Sequence, residues 1–320
     1  MVVILGMHRS GTSVITRALQ VMGIELGDNF LRPNRHNERG YWEDVDIQAL
    51  NVEMLHAIDS DWHHLASISE TDVHTLQNLG FEDRAAELLY QKMDSAQVFG
   101  FKDPRITKLL PFWKNVFKKN EIDVSYVLAI RNPLSVALSL EKRDGLSRIH
   151  CFYLWLEYNV AALIGGTGSI HAVIDYDRFL QSPTPTVRRI SEQLALPFDR
   201  AKMATFESDF LNISLSHSTH HMEEFLDDAS CPGLVQEAYT NLLQLSDGKL
   251  RLDDSQLQTR ISCWIDELAR TQSLMGHADS LLRKIEIGSA PPIAQSLYDI
   301  GRSISRKMPF SGWIKKRFLS

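Results

Sequence analysis

The residues Gly6-Met7-His8-Arg9-Ser10-Gly11-Thr12-Ser13 follow the apolar run Val2 to Leu5 and precede a helix-like segment, giving strand, glycine-bearing loop and helix in succession. In such a loop the backbone N–H groups point at a ligand, and a helix beginning near Thr12 adds the positive end of its dipole, so the stretch favours an anion. Gly6 and Gly11 keep the glycine spacing of a phosphate-binding P-loop, but Thr12 holds the position of its lysine and the basic residue is Arg9, inside the loop. The chemistry this predicts is a phosphate cradle that differs from a standard nucleotidase. The alternative is a strand-to-helix turn whose glycines serve close packing alone.

Such a cradle needs a sheet behind it. Val98 to Phe101 reads as a short buried strand, and Val124 to Ile130 as a central parallel strand that breaks into a turn at Arg131-Asn132-Pro133; His171 to Ile174 is a further strand. Helical spacing covers Thr12 to Met22, Asp44 to Ile58, Phe81 to Met93, Thr107 to Lys118, Leu134 to Glu141, Phe152 to Leu163 and Thr186 to Leu194. Strands alternating with helices predict an α/β fold built on a doubly wound parallel sheet. The polar segment Asp28 to Glu43, rich in Asn, Arg, Gly and Pro, reads as a substrate-facing loop. From Leu257 to Ile285 apolar residues recur at heptad-like positions, but Thr271 and Gly276 weaken the pattern, so a packed helix is expected rather than a coiled coil.

With 320 residues and 44% hydrophobic content the chain can bury a full core. A net charge of -6 and an isoelectric point near 6.1 argue against nucleic acid as the main partner. Cys151, Cys231 and Cys263 form no CxxC pair, and His63-His64 and His220-His221 lack a Cys or carboxylate at ligand spacing, so neither a disulfide framework nor a metal site is expected. A strand at Val2 leaves no room for a signal peptide, and Glu157 and Asn159 interrupt the longest apolar stretch; a cytoplasmic chain without a membrane span is expected. Near the C-terminus Arg302, Arg306, Lys307, Lys315, Lys316 and Arg317 form a basic tail, read as solvated or, more sharply, as a weak contact to an anionic membrane surface.

The loop, the strand ending in Arg131, and Ser139 eight residues later together resemble the sulfotransferases that use 3′-phosphoadenosine 5′-phosphosulfate. The resemblance covers residues 1 to 215 and implies a P-loop-like sulfotransferase fold, a catalytic domain over 1–215 and a helical C-terminal region over 216–320. It implies that His8, Arg9, Ser10, Gly11, Thr12 and Ser13 hold the 5′-phosphosulfate, while Arg131 and Ser139 hold the 3′-phosphate. Phe99 to Arg105 resembles the family segment that places a lysine near the transferred group, which makes Lys102 the residue that meets charge on the leaving phosphate oxygen. Asp103 and Arg105 have an equal claim to purely structural roles.

Two departures set this chain apart from the small-molecule sulfotransferases. No histidine follows Lys102, and Arg306-Lys307 with Gly312-Trp313 matches the family's C-terminal phosphate motif only loosely. The chain is closer to the bacterial sulfotransferases and to those with a carboxylate base. Glu43, in Gly40-Tyr41-Trp42-Glu43-Asp44-Val45-Asp46, is the first candidate for that base and Asp46, one helical turn on, the second; capping of the helix is the competing role for Glu43 or Asp44. Arg9 and Lys102 complete the expected catalytic set, with no metal required. Asn34, His36, Asn37, Tyr41 and Trp42 suit a carbohydrate acceptor. Competing expectations are a Mg²⁺-dependent P-loop kinase, for which Asp175 after a short strand would serve, and a non-catalytic anion-binding protein.

Overall fold

The computed structural model describes residues 1–34, 37, 39–94, 96–211 and 222–289. His36, His220-His221 and the basic tail from Arg302 onward lie outside the described residues. Four strands, β1 (Val2–Leu5), β2 (Gly100–Lys102), β3 (Ser125–Ile130) and β4 (Ile170–Asp175), form one sheet in the order β2-β1-β3-β4. Every neighbouring pair is parallel.

The side-chain period of two explains why this sheet is covered on both faces. Val3, Leu5, Leu128 and Ile130 enter one hydrophobic cluster, whereas Val2, Ile4, Val127 and Ala129 enter another on the opposite face. The second face is covered by α1 (Thr12–Leu19), then by α9 (Tyr176–Gln181), α10 (Pro183–Gln193) and α11 (Arg200–Thr205), through Ile15, Leu19, Phe179, Ile190 and Met203.

The first face carries the larger layer, made of α2 (Val45–Ala57), α3 (Glu70–Asn78), α4 (Phe81–Met93), α5 (Arg105–Lys108), α6 (Leu110–Lys119), α7 (Pro133–Asp144) and α8 (Arg148–Gly165). The fold is thus α/β, a parallel sheet flanked by helices.

The chain continues through α12 (Met222–Leu226), α13 (Gly233–Ser246) and α14 (Ser255–Ser289). Leu257, Ile261, Trp264, Leu268 and Met275 of α14 are buried in the same cluster as α8, as expected of a packed helix. Among the described residues no helix is long and apolar enough to cross a membrane.

The expected helix over Thr107 to Lys118 divides at Leu109, because Pro111 has no N–H to continue the preceding turn and instead sits in the first turn of α6. The expected strand at Val98 begins two residues later, and Phe99 makes only an isolated bridge to Glu25. All four strands run in one direction, so the loop after β1, the Lys102 end of β2, Arg131 after β3 and Tyr176 after β4 gather at one edge of the sheet. Open parallel sheets bind ligands at that edge.

Candidate anion-binding and catalytic site

A cleft at this edge is lined by His8, Arg9, Gly11 to Val14, Tyr41, Glu43, Lys102, Arg131, Arg143 and Tyr176, with Leu180, Phe210 and Leu211 at its apolar end. Its floor is the loop after β1. At Gly6, φ is 137° and a Cβ would stand 2.4 Å from the carbonyl oxygen of Ala129. At Gly11, φ is 77° and a Cβ would stand 2.0 Å from the Tyr176 ring. Both positions therefore exclude a side chain. Arg9 also has a positive φ, 69°, a strained conformation of the kind that clusters at ligand sites. No side chain caps the start of α1, which leaves its first-turn N–H groups free of side-chain acceptors at the cleft.

Two charged corners flank the loop. In the first, Lys102 Nζ lies 2.7 Å from Glu43 Oε1 and donates to Ser13 Oγ at 3.4 Å. Ser13 in turn donates to the Tyr41 carbonyl at 3.0 Å and accepts from Asn37 Nδ2 at 3.3 Å, tying the polar loop to the cradle. Arg105 stands 3.7 Å from the other Glu43 oxygen and 2.8 Å from Asp103. Asp103 also accepts from Asn51, which accepts from Trp113, so this carboxylate is engaged in positioning. Burial pushes the Glu43 carboxyl above its ordinary range, while Lys102 pulls it back down.

In the second corner, Arg9 Nε donates to Ser139 Oγ at 2.8 Å and Arg131 donates to the Arg9 carbonyl at 3.3 Å. The Arg131 guanidinium lies over the Tyr176 ring at 4.6 Å and 3.8 Å from Asp177. His8 packs against Trp62 with ring centroids 4.6 Å apart; burial and the surrounding Arg105, Arg143, Lys102 and Arg9 push its pKa well down. His8 Nε2 and Ser10 Oγ are buried without a hydrogen-bond partner among the described residues, as expected of groups that await a ligand.

The structure thus brings together His8, Arg9, Gly11, Thr12, Ser13, Glu43, Lys102 and Arg131 around one cleft, with Ser139 bonded to Arg9 at its side. Ser10 is fully buried within the loop. Asp46 is not among the residues that line the cleft: it is half exposed and pairs with Lys92 at 2.6 Å. Asp44 caps α2 through the Asp46 and Ile47 amides, which leaves Glu43 for the cleft. Trp42 packs between Phe30 and Phe210 with Arg17 over its ring, behind the loop.

Asp175 accepts from the Arg178 amide and from the Tyr239 hydroxyl, both at 3.1 Å. Among the described residues no group of His, Cys, Asp and Glu has the arrangement of a metal site. Trp62, Arg143 and Tyr176 were not expected at the site. Only Arg143 carried a signal, since it follows Ser139 by four residues on a helix.

Fold and site define an α/β protein with a glycine-bearing loop after its first strand and a buried Glu43–Lys102 pair beside it. No protein-family model matches the chain, and no curated protein matches it. Among solved structures, the sulfotransferase domain of the Synechococcus PCC 7002 olefin synthase is 16% identical, with a TM-score of 0.40 over 84% of this chain and 94% of that domain. The sulfotransferase domain from the curacin biosynthetic pathway is 15% identical, with a TM-score of 0.39 over 84% of this chain and 97% of that domain.

Proposed function

We propose that the protein is a sulfotransferase that moves a sulfonyl group from 3′-phosphoadenosine 5′-phosphosulfate to a hydroxyl or amine of an acceptor, with carbohydrate as the acceptor class. The observation that carries this is the presence of two separate cationic corners in one cleft, Lys102 with Ser13 beside the loop and Arg9 with Arg131 beside Ser139. A donor with one anionic group at its 5′ end and another at its 3′ position needs such a pair. All described residues that line the cleft fall within 1–215, which we take as the catalytic domain, with the helices α12 to α14 belonging to the region that follows.

In this scheme Glu43 takes the proton of the acceptor group as the acceptor oxygen or nitrogen bonds to sulfur and the bond from sulfur to the leaving phosphate oxygen breaks. Lys102 and the first amides of α1 hold the negative charge that arrives on that oxygen. Lys102 thereby links both events: drawn toward an anionic donor, it loosens its hold on Glu43, and burial then raises the affinity of the carboxylate for a proton. Arg131 and Ser139 orient the 3′ end. Tyr41 and Asn37, at the mouth of the cleft, offer a ring and an amide to a sugar. Asp175 does not favour the kinase alternative, since its two oxygens serve the start of α9 and Tyr239.

The test is calorimetric titration with adenosine 3′,5′-bisphosphate and, separately, with ATP and Mg²⁺, on wild type and Arg131→Ala. Metal-independent binding of the bisphosphate, weakened at least roughly tenfold by the substitution, is the expected result. Binding of ATP with Mg²⁺ alone overturns the proposal. Transfer of labelled sulfate to a carbohydrate panel tests the acceptor class, and an active enzyme that labels none of the panel removes it.

A further inference from the structure

We propose that Arg143 is a third phosphate-gripping side chain beside Arg131 and Ser139, and that α14 fixes the platform on which it rests. This rests on the sulfotransferase reading above. Arg143 follows Ser139 by one turn of α7, so both project from the same side of that helix. It lines the cleft with its side chain 17% exposed, donates from Nε to Asp144 at 2.7 Å, and lies over the Trp62 ring at 5.3 Å. No described residue accepts from its two terminal nitrogens.

A guanidinium largely withdrawn from water with those donors unmet favours an anion. The charge balance points the same way. Burial, then the neighbouring Arg143 and Arg131 guanidiniums, push the Arg9 pKa down, with Tyr41 and Tyr176 acting the other way. A phosphate dianion placed among three guanidiniums relieves that repulsion.

The platform is built from far along the chain. Trp62 sits in the segment between α2 and α3, where the Tyr158 hydroxyl donates to its carbonyl at 2.9 Å. The buried Asp279 carboxylate of α14 accepts the Leu65 and Ala66 amides at 2.9 and 2.8 Å, Gln272 accepts the Ser67 amide at 2.9 Å, and Arg283 pairs with Asp59. Trp62 thereby contacts both Arg143 and His8.

The experiment titrates wild type, Arg143→Ala and Arg143→Lys with adenosine 3′,5′-bisphosphate and with adenosine 5′-monophosphate, which lacks the 3′ group. Arg143→Ala is expected to weaken bisphosphate binding roughly tenfold to a hundredfold and to leave the monophosphate within about twofold. Arg143→Lys, which keeps the charge but loses the fork, is expected to fall between, again for the bisphosphate alone. If wild type prefers the bisphosphate but Arg143→Ala weakens both ligands equally, or neither, the assignment of Arg143 is overturned and the donor reading stands. A wild type that does not distinguish the two ligands overturns the donor reading and this assignment with it.

Discussion

Glu43 and Lys102 hold each other at 2.7 Å within the cleft, so Lys102 favours the charged form of Glu43 against its burial. Glu43→Gln keeps an acceptor for Lys102 but cannot take a proton. Turnover is expected to fall by about a hundredfold or more while bisphosphate affinity changes little; steady-state rates set beside titration check this, and an active Gln variant would remove Glu43 as the base. Because burial raises the Glu43 pKa above its usual 4.5, activity is expected to decline on acidification at a pH higher than an exposed carboxylate would give. The placement of Arg9 and Ser13 at the cleft was legible from spacing within one loop and that of Glu43 from the point where a polar loop meets a helix, whereas Arg131 was singled out by the family resemblance. Tyr176 and Trp62 were not, because their place at the site is set by packing across the sheet edge and leaves no local pattern.

At the scale of elements, the same contrast holds. Strands β1 and β3 showed in the sequence because both faces are buried and the runs are apolar but for Ser125 at the start of β3. Short helices such as α9 and α11, six residues each, pass too quickly for helical periodicity to show. The junction of loop and helix is where the fold admits least change. Gly11→Ala places a Cβ on the Tyr176 ring at a backbone angle that suits only glycine, and is expected to cost about 1–3 kcal/mol and to abolish bisphosphate binding. Urea denaturation and titration check the two effects. Adding Tyr176→Ala should restore part of the stability by removing the clash; no restoration would show that the backbone angle alone is responsible.

Across the whole molecule, α13 and α14 are bonded to the elements that precede them at several points. One is Tyr239 of α13, which donates to Asp175 at the end of β4. Burial raises the Asp175 pKa from 3.8 to about 6, so the folded state favours its protonated form. That contribution is full below the unfolded value of 3.8 and is lost as pH rises through about 6, a change of about 3 kcal/mol. Asp175→Asn, which can still cap α9, is expected to be more stable than wild type at pH 7 and to lose that advantage near pH 4. Urea midpoints at the two pH values check this, and an equal difference at both would contradict it.

Another point is Asp279, whose carboxylate secures a segment more than two hundred residues earlier in the chain. This sets an order of events during synthesis. A ribosome that has released the loop after β1, the four described strands and every described residue lining the cleft has not yet released the group that fastens the segment after Trp62. The nascent protein therefore carries the described residues of the cleft well before it carries the α14 carboxylate that fastens the segment after Trp62.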